Sequence, residues 1–199
     1  MECTSFDVRN IDPLLSSIRE INARTPLDLA ILNAGLGGIA GVERISELPE
    51  RSYEMSLVNF VSPVVTATAI GELMGARGHG RIVLVGSLAE AFPLPMAPTY
   101  SGTKAGLAMF AEALELRLKK HGVGVTLISP GFIDTPMSRS VPPPKPFLMT
   151  AKDAATIMRR KIEGGARRLI VPWQFALILA LSRWVPRALI RAILRTQMP

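Results

Sequence analysis

Apolar positions along this chain follow two different periods, and the alternation between them sets out its elements. Mostly apolar runs of strand length occur at 27–32 (Leu-Asp-Leu-Ala-Ile-Leu), 81–86 (Arg-Ile-Val-Leu-Val-Gly), 123–128 (Val-Gly-Val-Thr-Leu-Ile) and 168–171 (Arg-Leu-Ile-Val). Runs of this kind fit strands covered on both faces, as in a parallel sheet. Between them lie stretches of helical period. One runs from 49 to 74 with Tyr53, Leu57, Phe60, Val61, Val64 and Val65; a second carries Leu107, Phe110, Ala111, Leu114 and Leu118 and ends near His121-Gly122; a third covers 150–162. Ahead of these, 4–8 reads as the end of a short strand. Asp12-Pro13 reads as an N-cap with proline at the first helical position, opening a helix through Ile21. Pro63 lies inside the 49–74 helix. It has no N–H to give the Asn59 carbonyl four residues back, so a kink is expected there with that carbonyl left free. The pattern predicts one α/β domain.

On the Leu107 helix, Tyr100-Ser-Gly-Thr-Lys104 places a phenol and an ammonium one turn apart within the apolar stripe, so both point inward. A buried lysine is costly unless something pairs with it. A phenol whose pKa is about 10 becomes a useful base at neutral pH only if a nearby cation stabilises its phenolate, and Lys104 is placed to be that cation. Ser87 follows the 81–86 strand, so its hydroxyl sits at a strand's carboxyl end, where open α/β sheets carry their sites. A hydroxyl there can hold a substrate oxygen.

Ser87, Tyr100 and Lys104 in this setting resemble the catalytic set of the short-chain dehydrogenase/reductase family. The resemblance implies a Rossmann-like doubly wound parallel sheet, an NAD or NADP cofactor, a small alcohol or carbonyl substrate, and assembly as a homo-oligomer. It extends to further motifs. Asp7 and Val8 match the pair that contacts the cofactor's adenine. Asn33-Ala34-Gly35 matches the Asn-Ala-Gly turn that supports the central sheet and lines the cofactor's path. Asn59, in Val58-Asn59-Phe60, matches the asparagine whose backbone carbonyl holds a relay water for the catalytic lysine. Pro130, Gly131, Ile133 and Thr135 match the residues that border the nicotinamide, and Tyr100 and Lys104 also contact the cofactor in the family. The loop 137–149, with Pro142, Pro143, Pro144 and Pro146, is too proline-rich to be helical and stands where the family places its mobile substrate cover.

The family's opening strand and its Thr-Gly-x-x-x-Gly-x-Gly turn, which carries the cofactor's pyrophosphate, have no counterpart in residues 1–199. The loop Gly37-Gly-Ile-Ala-Gly41 has the wrong spacing and context for a phosphate cradle. By analogy with the family's strand order 3-2-1-4-5-6-7, the first two strands are missing, and the 27–32 strand should be unpaired on one side. The expectation is therefore an oxidoreductase that is truncated or begins at a wrong start. The alternative is a non-catalytic fragment that works only by binding a partner or a membrane surface.

Composition narrows the setting. The 199 residues are 48% hydrophobic, enough for one core. Cys3 is the only cysteine, which excludes an internal disulfide, and the first residues lack a signal pattern, so a cytoplasmic protein is expected. The net charge is +7, without the aromatic-basic interleaving or zinc spacing of nucleic-acid binders. Nucleic acid and metal are not expected. Residues 1–171 read as the incomplete catalytic domain and 172–199 as a tail. In that tail 173–181 is apolar but too short to span a bilayer, and Arg183, Arg187, Arg191 and Arg195 recur every four residues beside Leu189, Ile190 and Ile193. Such a basic amphipathic helix lies on an anionic membrane, guards a greasy substrate channel, or docks on its own domain or a second subunit.

Overall fold

Four of the apolar runs pair side by side as parallel strands. The computed structural model describes residues 3–38, 45–182 and 184–195; of 187, 191, 193 and 195 it describes the backbone alone. In chain order the elements are α1 (Ile11–Arg24), β1 (Leu29–Leu32), α2 (Pro49–Ser56), a π-helical turn (Leu57–Val61), α3 (Ser62–Arg77), β2 (Gly80–Val85), a 3₁₀ turn (Leu88–Glu90) and α4 (Pro98–Leu118). There follow β3 (Val123–Pro130), β4 (Ile133–Asp134), α5 (Pro136–Arg139), β5 (Met149–Thr150), α6 (Ala151–Glu163), β6 (Arg168–Val171), α7 (Gln174–Ser182) and α8 (Arg187–Arg195). The main sheet has the order β1-β2-β3-β6, all parallel, with Ala30 opposite Ile82, Ile82 opposite Val125 and Ile128 opposite Leu169. A second, two-stranded sheet pairs β4 with β5.

Helices cover both faces of the main sheet, as a doubly wound α/β fold requires. On one side Ala67, Ile70 and Met74 of α3 and Leu107, Ala111, Leu114 and Leu118 of α4 close over Ile82, Leu84, Val125 and Leu127. On the other, Val83, Ile128, Leu169 and Val171 pack with Met149 and with Met158 and Ile162 of α6. Burying each of the valine, leucine, isoleucine and methionine side chains contributes about 1.5–3 kcal/mol before entropy is counted. That two-sided cover is why β2 and β3 read as continuous apolar runs.

Sequence expectation and structure part at four places. Residues 3–7 form no strand, and Val8 and Arg9 form a turn. A strand needs a ladder partner, and no described strand lies beside these residues. Helix α1 begins at Ile11 with Asn10 as its N-cap, so Asp12 and Pro13 fall within the first turn, where proline's missing N–H is harmless. The irregularity before Pro63 is the π-helical turn, where the Ser62 N–H reaches the Leu57 carbonyl, in place of a simple kink. The wider turn absorbs the register that proline would otherwise break. Finally, the first residues of the proline-rich loop are helical. Pro136 occupies a position that needs no N–H, and Thr135 and Ser138 form a capping box.

The expected open edge is present. Among the described residues β1 pairs only with β2, and Leu29 and Ile31, on one face of the strand, are 48% and 53% exposed.

Candidate active site

Parallel crossovers bring the carboxyl ends of β1, β2 and β3 to one edge of the sheet, and with them Asn33-Ala34-Gly35, Gly86-Ser87 and Pro130-Gly131. Two backbone bonds fix these ends: the Gly86 N–H donates to the Ile128 carbonyl at 2.7 Å, and the Gly131 N–H to the Val171 carbonyl at 2.7 Å. Helix α4 presents Tyr100 and Lys104 from its first turns. Its start is held by Glu47, whose carboxylate accepts the Thr99 N–H at 3.0 Å. A carboxylate there satisfies an otherwise unpaired donor and complements the helix dipole.

Lys104 is 5% exposed, and its Nζ donates to the Val85 carbonyl at 2.9 Å, just before Ser87. The same Nζ lies 5.8 Å from the centre of the Tyr100 ring. Burial lowers the Lys104 pKa to about 8, with Glu90 pulling the other way. Tyr100 is half-buried; burial raises its pKa, and the nearby Ser87 hydroxyl only partly offsets that. Lys104 is not among the groups that set this balance in this arrangement. The ammonium is tied to the Val85 carbonyl, so desolvation of the phenol wins.

Asn59 is fully buried, and its side chain closes a two-point clamp on the turn after β1. Its Oδ1 accepts the Leu36 N–H at 2.7 Å and its Nδ2 donates to the Leu36 carbonyl at 2.8 Å. A methyl group placed on Gly35 would lie 3.6 Å from Asn59 Oδ1 and 3.8 Å from Lys104 Nζ, so these three residues converge on one spot. The π-helical turn carries Asn59 to that position. Ser87 caps the following 3₁₀ turn, its Oγ accepting the Ala89 N–H at 3.1 Å.

The remaining candidates occupy the margins. Asn33 and Ala34 are exposed on the rim, and Pro130, Gly131 and Ile133 are half-buried. The Thr135 hydroxyl serves the α5 cap, accepting the Ser138 N–H at 3.3 Å. Met137 on α5 packs against Gly37, which brings the start of the proline-rich segment across to the turn after β1. Val8 is half-buried, while Asp7 is exposed and bonded to Arg9, which also reaches Glu54 on α2 at 2.9 Å. The Arg9 guanidinium holds the Asp7 carboxyl down at about 2. No described hydrogen bond joins Asp7 to the Tyr100 cluster.

Glu90 is a member of this neighbourhood that sequence reasoning missed. Its side chain is 2% exposed; Oε1 accepts from Ser129 Oγ at 2.8 Å and from Arg168 at 2.5 Å, and Oε2 is buried without a hydrogen-bond partner. Desolvation raises its pKa, against the pull of Ser129 and Arg168. An acid inside the apolar run Leu88-Ala-Glu-Ala-Phe92 was the available signal.

Fold and site together define an α/β protein with a tyrosine–lysine–serine constellation at a sheet's carboxyl edge. Residues 1–146 match the family model for short chain dehydrogenase, and the chain belongs to that family. It is 34% identical over 196 residues to an uncharacterized oxidoreductase of Myxococcus xanthus, covering 98% of this chain and 77% of that protein. It is 28% identical to the 3-oxoacyl-[acyl-carrier-protein] reductase MabA of Mycobacterium avium, over 71% of this chain and 54% of the relative. A short chain dehydrogenase from Burkholderia cenocepacia, solved in complex with NADP, superposes with a TM-score of 0.81 at 27% identity, covering 96% of this chain and 80% of that one. The chain thus spans about half to three quarters of the length of the curated relatives named here.

Proposed function

We propose that these residues form the catalytic half of an NAD(P)-dependent oxidoreductase that interconverts an alcohol and a carbonyl. The observation that carries this reading is the convergence of Tyr100, Lys104, Asn59 and Gly35 beside Ser87. An ammonium held dry beside a phenol has no structural need here, since an apolar side chain would fill the space at lower cost. The Burkholderia cenocepacia protein with bound NADP supports the cofactor class.

The residues present fit the nicotinamide and ribose part of such a cofactor. Gly35 leaves room beside Lys104 Nζ, whose spare N–H groups suit ribose hydroxyls. Pro130, Gly131, Ile133 and Thr135 would border the nicotinamide, with Asn33 and Ala34 on the rim and Asp7 and Val8 toward adenine. When bound, the cofactor supplies or receives the hydride. The chain's own groups handle the oxygen and the proton. Ser87 donates a hydrogen bond to the substrate oxygen. Tyr100 delivers its hydroxyl proton to that oxygen during reduction and takes it back during oxidation. Lys104 stabilises the phenolate as it forms, and the Asn59 carbonyl anchors the water through which the proton is exchanged with solvent.

A second reading has its own observation, the open edge of β1 with exposed Leu29 and Ile31. On that reading residues 1–199 act by pairing with a partner and catalyse nothing. The test is to assay NADH and NADPH consumption with a panel of apolar ketones and aldehydes, using residues 1–199 and a form extended at its amino end by a glycine-rich strand–turn–helix. Turnover by the extended form supports the enzyme. Its failure with every carbonyl and both cofactors favours the binding module.

A further inference from the structure

Helix α7 is wholly apolar apart from its ends, yet none of its residues is buried. One flank is seated on the site. Phe175 packs so closely on Gly131 that a methyl group there would lie 2.5 Å from its ring, and it meets Phe147 edge-on at 5.3 Å. The opposite flank faces outward. Trp173, Leu177, Leu181 and Trp184 follow one another at helical spacing, and Trp173 and Trp184 are 69% and 88% exposed. Leu189 on α8 and Phe147 and Leu148 from the proline-rich segment are exposed as well. Large apolar side chains left exposed along one face of a helix mark a contact site.

Charge decides which contact. From Pro172 onward the chain holds Arg183, Arg187, Arg191 and Arg195 and no acidic residue. Arg183 and the side chains of the other three lie outside the described residues, so their part rests on sequence and on the helical backbone of α8. Apolar residues with tryptophans, flanked by arginines spaced one turn apart, match an interfacial helix on anionic lipid. A second copy of this chain would bring four more arginines against the first four. At nine residues each, α7 and α8 are too short to span a bilayer.

We infer that α7, α8 and the Phe147 segment form a membrane-contact face that binds anionic lipid surfaces and sets the catalytic edge beside the bilayer. The placing of the catalytic edge rests on the proposed function, whereas lipid binding is read without substrate or cofactor, so the two fail separately. It follows that an apolar substrate could reach the edge at Gly131 from the lipid.

Trp173 and Trp184 are the only tryptophans, so tryptophan emission reports on this face alone. The chain is mixed with vesicles of phosphatidylcholine and, separately, of phosphatidylcholine with phosphatidylserine. The expected result is a blue shift and co-sedimentation with the anionic vesicles, weakening several-fold as salt rises from about 0.05 to about 0.3 M. At about 1 kcal/mol per arginine, the triple substitution R187Q/R191Q/R195Q should lower affinity on the order of a hundredfold. L177S/L181S should remove the blue shift, with far-UV circular dichroism checking that both variants fold. Equal binding to neutral and anionic vesicles, or none to either, overturns the inference. So does emission already blue-shifted without lipid and dependent on protein concentration, which would show that a second copy covers the face.

Discussion

Replacing Lys104 by methionine should make the protein more stable at neutral pH and less stable in alkali. Burial lowers the Lys104 pKa from its ordinary 10.5 to about 8, which corresponds to about 3 kcal/mol of cost for holding the charged amine in the fold. At pH 7 the amine is protonated in both folded and unfolded chains, so the full cost applies. Between about 8 and 10.5 the unfolded chain keeps a proton that the folded chain has released, so this group's contribution rises with pH, and above 10.5 the cost is gone. Methionine fills similar volume without charge but gives up the hydrogen bond to the Val85 carbonyl, about 1 kcal/mol. K104M should therefore be about 2 kcal/mol more stable than wild type at pH 7 and about 1 kcal/mol less stable above pH 10.5. Urea unfolding of both proteins at a series of pH values reads this directly. A difference that stays constant across the series, or a wild type already more stable at pH 7, would show that Lys104 is not kept at the expense of stability.

Other perturbations probe the surrounding structure. Asn59→Ala removes both bonds to Leu36 and leaves that peptide group unpaired, so it should lower stability by about 2–4 kcal/mol in urea unfolding; a loss below about 1 kcal/mol would mean the clamp is redundant. Glu90 has a raised pKa, so its contribution is largest below 4.5 and declines as pH rises through the folded value. Glu90→Gln should accordingly gain stability over wild type between pH 4.5 and 7, and a wild-type advantage growing over that range would contradict the burial argument. Residues 1–199 alone, having no glycine turn for the pyrophosphate, should show no saturable binding of NADH or NADPH tighter than about 100 μM. Tight binding by a monomer would show that the phosphate site is built in another way. Ile31→Lys at the open edge should shift sedimentation of residues 1–199 toward monomer, and an unchanged profile would mean that β1 is not where chains associate.

What could be read in advance followed from period and position. The β2 and β3 runs carry Ile82, Val83, Leu84, Val125 and Ile128 because the sheet is covered on both faces, and the one polar residue among them, Thr126, is buried with its hydroxyl bonded to the Ala166 carbonyl. Tyr100 and Lys104 were legible because a lysine within an apolar helical stripe has no ordinary explanation. The π-helical turn was not, since one extra residue in a turn leaves no mark on the spacing of Leu57, Phe60 and Val61. Residues 4–8 illustrate a different failure. A strand's existence depends on its neighbour, and local sequence carries no record of whether that neighbour is there. Glu90 escaped because the partners that tolerate its burial, Ser129 and Arg168, come from strands far along the chain. Phe175 on Gly131 is likewise a tertiary contact, reached only after β6 returns the chain to the catalytic edge.

In the proposed mechanism Tyr100 exchanges the proton with the substrate oxygen. Tyr100→Phe keeps the ring against Lys104 and removes only the hydroxyl. In a form of the protein completed at its amino end, kcat for carbonyl reduction and the dissociation constant for NADPH should be measured side by side. The expected result is that kcat falls by about 10²–10⁴-fold while cofactor affinity changes by less than about threefold. A variant that keeps more than a few per cent of wild-type kcat, or one that loses cofactor affinity in proportion to rate, would contradict it.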